Sequence, residues 1–176
     1  ISEGSGREGI ELTLAHALEQ GVISEEVHDA SLFFLDQLPA AITHDTALAF
    51  VDELAGRGAS VPADGGDGSL LHLIAIKKPT NKDAGDLILT LSHEYGHAIH
   101  ERLPDELRQE ISEAYKAAKA KGATKRKGFM PFFVKNYKTE EVAESEWFAW
   151  QFSEYLSHGV LPEAAKMEPS GRIRQL

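Results

Sequence analysis

A chain of 176 residues, 42% hydrophobic and 26% charged, is long enough to bury a proper core and has the composition of a globular domain. Its net charge of −10 speaks against general nucleic-acid binding, which needs a basic face, and no apolar run is long enough to span a bilayer. With no cysteine, disulfides and thiolate-held zinc are excluded, so a metal site must be built from histidine and carboxylate. The chain opens on Ile1 without a signal-peptide pattern and is expected to be a piece of something longer.

Residues 1–9 read as a flexible start, with residues 10–176 forming one domain. Residues 10–20 and 24–38 have the periodicity of two amphipathic helices, with Gly21 ending the first, Ser24 capping the second and Pro39 stopping it. A third helix is expected over 45–55, where Leu48, Val51 and Leu54 fall on one face. The glycine-rich residues 63–68 predict a turn, and 70–76 predicts a strand, one of three or four expected around 58–78. The next helix should run from about residue 83 to just before Pro104. Pro104 then opens another, with Asp105 and Glu106 in its first turn and Gly122 at its C-terminal cap. Residues 123–138 are a basic, aromatic connector, suited to a cleft wall or to core packing. Thr139 caps a last helix that carries Val142, Ala149, Phe152 and Leu156 at helical spacing and that Gly159 closes. The fold class this predicts is α+β, helix-rich, with a small mixed sheet.

Inside the fourth of these helices lies His93-Glu94-Tyr95-Gly96-His97. Residues i and i+4 of a helix stand one above the other, so His93 and His97 can aim two imidazoles at one metal ion. Glu94 is offset by one residue, placed to reach a water on the metal without ligating it. Two ligands and a general base in five residues is the arrangement of zinc peptidases, whose edge strand commonly takes an extended peptide by strand addition. The strand at 70–76, just upstream, is the candidate for that role, and its His72 is either a cleft residue or a half-exposed strand residue. The alternative for the motif itself is a helix with two hydrogen-bonded histidines.

A catalytic zinc needs a third protein ligand. The metzincin spacing fails, because His100 and Leu103 stand where a glycine and a histidine are required. A glutamate about twenty residues downstream is also missing, since Lys116 and Ala117 occupy that region, and Glu110 and Glu113 fit a solvated helix face. The remaining candidates are Glu144 and Glu146. At two residues apart on a helix they point about 200° from each other and cannot both face the metal. Glu146 shares a face with Ala149, Trp150 and Ser153, and Glu144 with Phe148, Gln151 and Tyr155.

Residues 144–152 resemble the third-ligand helix of the gluzincins, where the ligand Glu precedes an apolar residue and then Phe-Ala. Taken with 93–97, they are most similar to the lethal-factor-like zinc peptidases, and the separation 146 − 97 = 49 residues is of the size that family uses. The resemblance spans roughly residues 70–157. It implies a zincin-like fold and a zinc-dependent endopeptidase in which His93, His97 and Glu146 hold Zn²⁺. It also implies that Glu94 is the general base and that an upstream tyrosine stabilises the oxyanion. Tyr137, nine residues before Glu146 and slightly further than the family places it, is the candidate, with a packing or surface tyrosine as the other reading, and His100 and His158 are further candidates for the oxyanion. Trp150 departs from the family, which often has an acidic residue there. The expected partner is a peptide or protein substrate, preferably basic or neutral given the acidic surface. Lethal-factor-like proteins are often secreted toxins or effectors. The competing readings are an inactive or structural zincin-like module of a larger toxin or phage protein, and a regulatory protease with one dedicated partner.

Overall fold

The ends of the helices follow from local chemistry. A computed structural model describes residues 3–64, 70–78, 84–121 and 139–158. The connector 123–138 with Tyr137, the glycines at 65, 66 and 68, and Gly122 and Gly159 lie outside the described residues. Helix α1 spans Gly6–Glu19, starting four residues earlier than the periodicity suggested. Gly21, at φ +69°, closes it: its N–H donates to Leu18 O, and the Val22 N–H reaches Ala17 O at 2.8 Å. Those two bonds make a Schellman ending that favours glycine at its left-handed position. Helix α2, Glu25–Asp36, begins where Ser24 Oγ accepts from the Val27 N–H at 3.2 Å. Pro39 ends it and introduces a single-turn helix, α3, Ala40–Thr43.

The helix expected over 45–55 is a strand instead: β1, Thr46–Val51. Thr46, Ala47, Leu48, Ala49 and Phe50 are all at most 9% exposed, so the segment has no wet face. A strand covered on both faces reads as a continuous apolar run. The spacing of Leu48, Val51 and Leu54 was coincidental. Two more strands follow, β2 at Gly58–Asp64 and β3 at Leu70–Lys77.

The sheet has the order β1-β3-β2, with β1 parallel and β2 antiparallel to β3. Its mixed character was expected, but β3 was expected at an edge and is central. It pairs on both sides, and so has no ladder left for a substrate. Directly paired residues share a face. Thr46, His72 and Pro62 therefore line up, as do Leu48, Ile74 and Ser60, and Phe50, Ile76 and Gly58. His72, 2% exposed, is a buried member of this face rather than a half-exposed one.

Helix α4, Ala84–Arg102, carries the histidine motif. Leu87, Leu91, Tyr95 and Ala98 form its buried stripe, each at most 1% exposed. Tyr95 fixes this stripe to the sheet face just described. Thr46 Oγ1 donates to Thr43 O at 3.0 Å, so the Tyr95 hydroxyl is the donor in its 3.3 Å contact with Thr46. Burial pushes that hydroxyl up to about 12, and it stays protonated.

The chain divides into two compact units, Ile1–Ala98 and Ile99–Leu176. In the second, Pro104 precedes α5, Asp105–Ala120, and Thr139 Oγ1 accepts from the Val142 N–H at the start of α6, Glu140–His158. These two helices pack through Tyr115 and Trp147, whose ring centroids are 5.7 Å apart. Glu140 of α6 is bound by Tyr115 Oη and Lys119 Nζ. Val142, expected on the apolar face of α6, is 45% exposed, whereas Ala149 and Phe152 are buried. No helix among the described residues is long and apolar enough to cross a membrane.

Truncating the α4 stripe should outweigh deleting its hydrogen bond. Leu91→Ala is expected to cost about 2–5 kcal/mol, through lost burial and the cavity left behind. Tyr95→Phe should cost only about 0.5–1.5 kcal/mol. Urea denaturation of the two variants reads the difference, and the opposite ranking would mean that the hydroxyl, not the stripe, holds α4 on the sheet.

Candidate metal centre

One helical turn separates His93 from His97, and the structure shows the consequence of that spacing. Their Nε2 atoms stand 3.1 Å apart, with the rings edge to face at 89°. Two nitrogens bound tetrahedrally to one zinc at about 2.0–2.1 Å would be about 3.3 Å apart, so the pair is nearly at ligand separation. His93 is 8% exposed and the neighbouring Glu94 is 6% exposed. His97 and Glu146 are half-buried.

His93 and His97 lie in the first unit and Glu146 in the second, and each offers one atom that could ligate a metal ion. Nitrogen and carboxylate donors in this number match what a catalytic zinc takes from protein, so the residues present fit the ion. Glu144 Oε1 is 3.4 Å from His100 Nε2, a long contact. The His100 ring also lies against Phe148, with centroids 5.3 Å apart. His100, considered for the oxyanion, is thus engaged by α6 residues. Tyr137 lies outside the described residues, as does the side chain of His158.

Gly58, which the sequence did not single out, stands against the motif. A Cβ built on it would meet Glu94 Oε1 and Cγ at 2.9 Å each, and Thr90 Cγ2 at 2.7 Å. The start of β2 therefore lies directly on the helix face that presents Glu94. A glycine next to a turn carries no sign of which helix residue it faces, and no feature of the sequence could have found it.

No family model, curated protein or solved structure matches the chain. The functional reading rests on the geometry of the residues themselves.

Substitution separates the two glutamates. Glu146→Ala is expected to weaken zinc binding by about 100-fold or more, beyond the usual effect of losing an outer-shell partner, and Glu144→Ala by less than about tenfold. Zinc titration against a competing chelator measures both, and a larger loss for Glu144→Ala would assign the ligand to the other face of α6.

Proposed function

We propose that this chain is a zinc-dependent endopeptidase domain of zincin type, similar to the lethal-factor-like peptidases, with His93, His97 and Glu146 as metal ligands. The observation that carries the reading is the pairing of His93 and His97 near ligand separation on the helical turn that also carries Glu94, a buried carboxylate outside the proposed ligand set. A structural zinc has no use for such a group, whereas hydrolysis needs a base. Zinc held there would supply a Lewis acid that polarises a carbonyl and acidifies a water. Glu94 would take the proton of the attacking water on a carboxylate oxygen and return it to the leaving amine.

Peptide binding, expected at 70–76, passes in this reading to β2. The His72 N–H donates to Asp45 O, and the Lys77 N–H to Arg57 O. Alternate residues of β3 thus serve alternate neighbours, and Ala59, Val61 and Ala63 face β3. Gly58, Ser60 and Pro62 turn their backbone groups outward, where they have no strand partner among the described residues. An extended peptide could add there beside Glu94.

Purified protein should carry about one zinc per chain and cleave members of a broad peptide library in a chelator-sensitive way. Glu94→Gln should keep the zinc and lower turnover by about 10²–10⁴-fold. Wild-type turnover in that variant would remove Glu94 from the role of base. Silence of the zinc-loaded protein across the library would favour an inactive module or a peptidase with one dedicated partner.

A further inference from the structure

We infer that Gly58 is a positioning residue for Glu94: the side chain it lacks is the space in which the Glu94 carboxylate stands. The inference rests on the peptidase reading and extends it to the strand behind the base.

Backbone conformation does not explain a glycine here. The described glycines with positive φ are Gly4, Gly6 and Gly21, so Gly58 has a conformation open to other residues. Space does explain it. The three atoms nearest to such a Cβ all lie below 3.0 Å, a separation that real Cβ atoms essentially never show. Gly56, two residues earlier, provides the contrast, because a Cβ there would meet only Gly58 O, at an ordinary 3.6 Å.

The next question is what would yield to a methyl group. Strand β2 is held by its ladder to β3, beginning with the 2.9 Å bond from the Lys77 N–H to Arg57 O. Helix α4 is held by its buried stripe. Of the two side chains that a methyl group would meet, Thr90 is β-branched and stiff at χ1, so the longer Glu94 side chain, which turns about more single bonds, is the one to yield. A methyl group at 58 would therefore push the carboxylate aside and leave the α4 backbone, with His93 and His97, in place. Gly58 also presents its own N–H and C=O to the outer edge of β2, so the same residue that backs the base would border a bound peptide.

The test compares Gly58→Ala, Gly58→Ala with Thr90→Ser, Gly56→Ala and Glu94→Gln in the full chain. It reads zinc affinity, kcat and KM on a peptide found by the library screen, and the visible spectrum of the Co²⁺-substituted protein. Gly58→Ala should keep zinc affinity within about tenfold of wild type and lower kcat by about 10²-fold or more at nearly constant KM. Its Co²⁺ spectrum should shift in the same sense as that of Glu94→Gln. Thr90→Ser removes the nearest obstructing methyl but not Glu94, so it should not restore kcat, and Gly56→Ala should behave as wild type. Recovery of kcat on adding Thr90→Ser would make Gly58 a packing residue and overturn the inference. So would an active wild type in which Gly58→Ala has unchanged kcat and spectrum, with the peptidase reading left standing. If Gly58→Ala folds poorly, adding Glu94→Ala should restore the folded yield, and restoration by Thr90→Ser alone counts against the proposal. A wild type that binds metal without cleaving any library peptide points to an inactive module or a peptidase with one dedicated partner, and the Co²⁺ spectra still decide the Gly58–Glu94 contact. A chain that binds no metal defeats both.

Discussion

Helix α4 has to meet two demands within one turn, and its winding of about 100° per residue decides how it meets them. With His93 at the origin, His97 lies about 40° round the helix. Leu91, Tyr95 and Ala98, which anchor the stripe, fall between about 140° and 200°. Glu94, at about 100°, is at the margin between the two. It is close enough to the histidines to serve the proposed chemistry and close enough to the buried stripe to be 6% exposed. Any register that turned Tyr95 off the sheet would carry the histidines with it. The bond from Tyr95 to Thr46 and the apolar stripe thus set the direction of both imidazoles.

Burial of Glu94 has an energetic consequence. A buried carboxylate is costly unless it is paired or hydrogen-bonded, and proteins place such groups where their environment can hold or use a charge. The same margin that brings Glu94 under cover brings Thr90, at about 60°, against the start of β2, so both side chains meet Gly58. Small size at 58 is what lets a sheet strand approach a helix face that carries a long polar side chain. The site depends on a residue that contributes no functional group.

What could be read from the sequence follows the range of the interactions. Helix ends were legible, because Ser24, Gly21 and Thr139 cap their helices through bonds to residues within a few positions. The histidine pair was legible for the same reason, since i and i+4 define its geometry. Strand β1 was not, because burial on both faces erases the alternation that marks a strand and leaves chance spacings to suggest a helix. The central position of β3 was hidden because strand order is a property of partners, not of the strand's own residues. Glu146 is 49 residues beyond His97 (146 − 97), and periodicity alone could say only that it and Glu144 face different ways.

The outer side of β2 brings these strands of argument together. An unpaired edge invites aggregation, and proteins blunt such edges with proline and charge. Here the blunting is uneven. Pro62 removes the outward N–H at its position, and Asp64 follows at the strand's end. Gly58 and Ser60 keep both outward backbone groups, and theirs is the end of the strand that lies against Thr90 and Glu94. Protection of the edge on solubility grounds alone would have no reason to stop short of the motif helix. An edge with no strand partner among the described residues for about two positions beside a buried carboxylate would suit, in the proposed reading, a short backbone ladder that positions one peptide bond, and it would offer little to a strand seeking a longer register.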